Sequence, residues 1–110
     1  MAAHPDAILL SKTRARVFFA TPRLAAEAAT RMLREFTESA FVETKFQNSD
    51  ICDVYAYQAI PPIPALVAGV ETICRGWYVK LTLLPEHVLL ISFHPMEQPI
   101  RTARGKKVMP

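Results

Sequence analysis

The chain has 110 residues, 51% of them hydrophobic and 21% charged, with 13 Lys and Arg against 10 Asp and Glu. That length supports one core and leaves no room for a second domain, and apolar residues this frequent exclude an intrinsically disordered chain. The formal charge of +3 permits a nucleic-acid partner without requiring one.

From Leu9 to Ala20 the chain is rich in strand formers and predicts a first strand, ending at Thr21-Pro22. Thr21 is placed to cap a helix whose first residue is Pro22. Leu24, Ala25, Ala28, Ala29, Met32, Leu33 and Phe36 then recur on one face, so a helix is expected over 22–38. Its other face mixes Arg and Glu, the pattern of a solvated surface. Phe41 to Phe46 and Ile51 to Gln58 predict two strands separated by the polar turn 47–50.

The run Ile60-Pro61-Pro62-Ile63-Pro64 lacks ladder donors and predicts an extended connection. Val67, Val70 and Ile73 suggest a short helix from Ala65 to Cys74, stopped by Gly76. Trp77 to Leu84 and Val88 to His94 form a last hairpin across Pro85-Glu86-His87. Pairing Leu84 with Val88 opposes Val79 to Phe93, Leu81 to Ile91 and Leu83 to Leu89 on an apolar face. The other face then opposes Tyr78 to His94, Lys80 to Ser92 and Thr82 to Leu90. After Glu97 there is no acid, and Arg101, Arg104, Lys106 and Lys107 make the end basic. The reading is one α+β domain over 1–95, an antiparallel sheet packed on one long and one short helix, followed by a basic C-terminal tail over 96–110.

Several classes of function are not suggested. Cys52 and Cys74 form no C-x-x-C and the histidines do not cluster, so no disulfide framework, metal site or cofactor is expected. Glycine occurs only at 69, 76 and 105, which excludes a glycine-rich phosphate loop. The longest uncharged stretch, Val54 to Val70, contains three prolines and does not predict a membrane span. Asp6 precedes Lys12, Arg14 and Arg16, the reverse of a secretory signal, so a cytoplasmic protein is expected.

Cleaving RNA without a metal needs a base for the 2′-hydroxyl, a cation for the crowded phosphate and an acid for the departing oxygen. Tyr78, Lys80 and His94 gather such groups on one sheet face, and imidazole exchanges protons near neutral pH. Arg101 and Arg104 follow His94 closely enough to grip flanking phosphates. Glu43 and Lys45 alternate onto one face of their own strand. The same residue types are ordinary on a solvated sheet face.

Glu38-Ser39-Ala40-Phe41, Asp53-Val54-Tyr55, Tyr78 to Leu83 and Val88 to Phe93 occur in an order that resembles the MqsR toxins. These are small α+β ribonucleases of bacterial toxin-antitoxin pairs, related to the RelE-like toxins. The resemblance covers about residues 30–94. It implies a RelE-like fold, metal-independent cleavage of messenger RNA, free or on the ribosome, and silencing by a cognate antitoxin protein. The family's functional tyrosine falls on Tyr78, and a lysine near the end of its sequences falls on His94. The family's Tyr-Lys pair is Val42-Glu43 here, and its glutamine before Asp-Val-Tyr is Cys52. The resulting expectation is catalysis by His94, Tyr78, Lys80 and Glu43, with Lys45, Arg101 and Arg104 on the RNA backbone. Two other readings stand beside it: a toxin-like module that binds a protein partner without cleaving RNA, and a ferredoxin-like domain with an apolar ligand pocket between helices and sheet.

Overall fold

The computed structural model describes residues 8–10, 18–35, 38–47, 50–83 and 88–110. Lys12, Arg14, Arg16, Phe36 and the hairpin loop with His87 lie outside them. The elements are β1 (Ile8–Leu10), α1 (Pro22–Glu35), a 3-10 turn (Glu38–Ala40), β2 (Phe41–Gln47), β3 (Asp50–Val67), β4 (Val70–Leu83), β5 (Val88–Pro95), β6 (Ile100–Arg101) and β7 (Lys107–Val108). The fold is α+β: β2 to β5 form an antiparallel sheet, β1 joins it parallel to β5, and the strand order is β1-β5-β4-β3-β2.

The helix begins where Thr21 caps it. Thr21 Oγ1 accepts the Leu24 amide at 3.2 Å and Thr21 O accepts the Ala25 amide at 3.3 Å. Ala25, Ala28, Ala29, Met32 and Leu33 are buried against the sheet, the small alanines letting the helix approach closely. The opposite face carries exposed i,i+4 pairs such as Arg23 with Glu27 at 3.2 Å, of small energetic value. The described helix ends at Glu35, and the strand expected as far as Ala20 does not reach Phe18, where the chain turns instead toward the helix cap.

Under the helix lies an aromatic cluster. Phe19 stacks on Trp77 and on Phe93 with centroids 5.7 and 5.4 Å apart, and Trp77 meets Phe93 at 5.3 Å. Trp77 and Phe93 are wholly buried, and the indole Nε1–H donates to Cys74 O at 3.1 Å, so burial leaves its polar atom bonded.

Two expectations fail in the middle of the chain. The stretch 65–74, read above as a short helix, is a β-hairpin that continues β3 into β4. Val67 pairs with Val70 across Ala68 and Gly69, whose φ angles of 52° and 78° are those of a two-residue hairpin turn. A spacing of three places residues on one helix face, and it also places them on either side of such a turn. The proline run, read as a connection, lies inside β3. The ladder jumps from Gln58–Gly76 to Ile63–Cys74, so residues 59–62 bulge opposite Arg75 and accommodate Pro61 and Pro62.

The last hairpin keeps the expected register only in part. Tyr78–His94, Val79–Phe93 and Lys80–Ser92 pair as predicted. Beyond Lys80 a bulge at Ile91 makes the pairs Leu81–Leu90, Thr82–Leu89 and Leu83–Val88, replacing Leu81–Ile91, Thr82–Leu90 and Leu83–Leu89. Leu90 and Phe93 are both buried in the helix-side core though three residues apart, which an unbroken strand of period two cannot provide.

The basic tail folds back over the sheet face remote from the helix. Ile100 pairs with Val108 and Arg101 with Lys107, and the Ala103 amide donates to Phe41 O at 2.8 Å. Met96 and Val108 are buried against Ala56, with Val42, Tyr78 and Ile100 around them. The chain end runs so close to Gly76 that a Cβ there would collide with the Met109 carbonyl. Among the described residues no helix is long and apolar enough to cross a membrane.

Two stability measurements follow from this packing. Phe93→Ala should cost about 3–5 kcal/mol in urea unfolding followed by Trp77 fluorescence. Gly76→Ala should cost about 1–3 kcal/mol and expose residues 96–110 to limited proteolysis before the rest of the chain.

Candidate functional site

On the sheet face away from α1, the registers align side chains into rows. One row runs Ala56, Tyr78, His94, and the next runs Glu43, Val54, Lys80, Ser92. Lys45 pairs with Cys52 two residues further along β2 and β3. Tyr78, Lys80 and His94 therefore do share one face, all three half-buried, while Glu43 and Lys45 are exposed at its β2 side. Strand spacing puts the Glu43 and Lys80 backbones about 10 Å apart, with buried Val54 between them. Lys80 and His94 are diagonal neighbours about 7 Å apart.

His94 is held from three sides. Its ring stacks on Tyr78 at 5.0 Å with planes 18° apart, and Phe18 lies 6.1 Å from it. His94 Nδ1 is 2.8 Å from Pro95 O. A carbonyl only accepts, so Nδ1 carries the proton of this bond, and in the neutral ring Nε2 is then the acceptor. The Tyr78 phenol thus lies nearly parallel to the imidazole and fixes the plane of the His94 ring.

The polar neighbours further along are internally bonded. Thr82 Oγ1 donates to Ile51 O at 3.2 Å, so the 3.3 Å contact between Cys52 and Thr82 is made by the thiol proton. Cys52, standing where the resembled family has glutamine, is buried and structural here.

The face is less open than the sequence suggests. The tail covers the Ala56–Tyr78 end of the first row, and its hairpin holds Arg101 and Arg104 on the Phe41 side of the sheet. Arg101 and Arg104 are exposed, and Arg101 Nη1 donates to Gly105 O at 2.9 Å. Arg101, Arg104, Lys106 and Lys107 are thus presented by a folded hairpin whose Thr102 is buried. Sequence reading missed this platform and missed Phe18 as a wall of His94. The signal for the platform was the presence of the apolar Met96, Ile100 and Val108 within a basic segment.

A separate cleft of about 380 Å³ lies between α1 and the β3–β4 arm, lined by Phe18, Leu24, Ala28, Ile63 and Ala65 with Glu27, Arg31 and Glu71 at its polar edges. Arg31 is engaged there, donating to Pro61 O at 2.6 Å and lying 3.7 Å from Glu35. Among the described residues no three His, Cys, Asp or Glu side chains converge on one point. Comparison with protein-family models, curated proteins and solved structures finds no match to this chain.

Neither thiol is placed as a nucleophile. Burial pushes the half-buried Cys74 thiol above its ordinary value of 9.0. Alkylation of native Cys74 should therefore be slower than that of a free thiol at pH 8, with its pH midpoint above 9.0. Cys52 should react only on unfolding, as mass spectrometry of iodoacetamide-treated protein would show.

Proposed function

We propose that this chain is a toxin of a bacterial toxin-antitoxin pair, RelE-like in fold and MqsR-like in its closing hairpin, that cuts messenger RNA without a metal. The observation that carries the reading is His94, fixed by Tyr78, Phe18 and the Pro95 carbonyl with Nε2 as proton acceptor, beside Lys80 on the same face.

On this reading His94 Nε2 takes the 2′-hydroxyl proton, and the 2′-oxygen bonds to phosphorus. Lys80 neutralises the charge that gathers on the non-bridging oxygens. The bond from phosphorus to the 5′-oxygen breaks, and water supplies the proton that this oxygen needs, because Glu43 stands three strands away from His94, out of reach of the same phosphate. The products are a 2′,3′-cyclic phosphate and a 5′-hydroxyl. Tyr78 orients His94 by stacking on its ring. Lys45, Arg101 and Arg104 hold flanking phosphates, which makes binding weaken steeply with salt.

A second reading, a partner-binding module without cleavage, is favoured by an apolar row on the other sheet face. Phe46 pairs with Ile51, and the antiparallel register carries Ile51 beside Leu83; they are 81%, 58% and 58% exposed. Such a row suits a protein partner, and on the leading reading it is the surface offered to the cognate antitoxin.

The purified chain should cut single-stranded RNA in the presence of a chelator and leave cyclic-phosphate ends. His94→Ala should slow cleavage by about 100-fold or more with the fold intact by circular dichroism. Cleavage that survives His94→Ala unchanged, or that stops on chelation, overturns this assignment. A folded chain that binds a protein partner and leaves RNA intact both free and on the ribosome supports the second reading.

A further inference from the structure

The arm formed by Val67 and the residues before it with Val70 to Arg75 projects past the strands on either side. β2 pairs with β3 only as far as Phe41–Tyr55, and β5 pairs with β4 only from Trp77–Pro95. Among the described residues, nothing ladders onto the β4 side of the arm between Val70 and Arg75. The arm also exposes large apolar side chains, with Val70 at 65% and Ile73 at 62%.

The two edges of the arm differ. Val67 and Val70 close a two-residue turn, so they form a hydrogen-bonded pair, and alternation makes Leu66–Glu71 and Pro64–Ile73 non-hydrogen-bonded pairs. The nitrogen of Pro64 therefore faces the outer edge of β3, where Pro61 and Pro62 also lack donors. That edge is blunted against further pairing. On the β4 edge the N–H and C=O groups of Glu71 and Ile73 point outward with no proline or lysine to protect them.

We infer that the Val70–Arg75 edge pairs antiparallel with the same edge of a second copy, making a two-fold dimer. Charge selects both the occupant and the register. With Ile73 opposite Ile73 of the second copy, Glu71 lies opposite Arg75 of the second copy, and the same pair repeats across the axis. Thr72 then meets Cys74 of the second copy, so every position falls opposite one of the same sheet face. Sliding by one pair of residues in either direction sets Glu71 against Ile73, or Ile73 against Arg75, and loses both charge pairs. The two Ile73 residues form an H-bonded pair on the axis, as their outward amides require. An edge of six residues buries less than the roughly 1,200 Å² of stable complexes, so this dimer dissociates on dilution. The inference does not rest on the RNA-cleavage reading.

Sedimentation equilibrium of the full chain, from low concentrations up to about 0.1 mM, where an interface this short is populated, should show monomer–dimer exchange. Glu71→Arg and Arg75→Glu should each weaken dimerisation about tenfold or more, by placing like charges opposite one another twice. The double variant with both substitutions should restore it, and an equimolar mixture of the two single variants should form a one-to-one heterodimer. Circular dichroism of each variant checks the fold. A wild-type chain that stays monomeric at 0.1 mM, or a dimer whose strength the single variants do not change, overturns the inference.

Discussion

The structure depends on the stacking of Phe19, Trp77 and Phe93 beneath the helix. These rings sit at the crossing of β4 and β5 and lock the strands' pleat, because burying Trp77, Val79 and Phe93 on one face commits Tyr78, Lys80 and His94 to the other. A slip of one residue would drive an ammonium and an imidazole into the core and expose an indole, so the cost of burying charge protects the site's register. The candidate chemistry is held by the hydrophobic face behind it.

Around this centre the fold uses irregularities to reconcile period-two strands with a continuous core. The bulge at Ile91 returns Leu90 to the helix side three residues from Phe93, and the bulge over 59–62 accommodates prolines in a strand that would otherwise end. The arm beyond that bulge keeps Ile63 and Ala65 in the core while leaving Val70 and Ile73 in solvent. One long β3 thus serves two surfaces. Its first half supports the polar rows, and its second half supports an unprotected edge.

The tail joins these parts. A segment rich in Arg and Lys has little reason to fold alone, yet Met96 and Val108 find a hydrophobic seat on Ala56 and the Ala103 amide finds the Phe41 carbonyl. Gly76 admits the chain end because it has no side chain. The result brings cationic groups to the margin of the face that carries Lys80 and His94 and narrows that face to the part between the tail and the sheet's far strands.

From the sequence alone, the capped helix from Pro22, the strands of the β2–β3 hairpin, and the opposition of Tyr78 to His94 and Lys80 to Ser92 are legible. Each rests on a local signal: a capping hydroxyl before proline, alternation of period two, and a turn that sets the nearby register. The hairpin at 65–74, the bulges, the folded tail and the aromatic wall at Phe18 are decided by tertiary structure. A spacing of three residues fits a helix face and a two-residue turn equally, and only the core that accepts Ile63, Ala65 and Cys74 chooses between them. A bulge repairs a conflict between distant side chains, and a docked tail needs a surface that exists only once the sheet has formed.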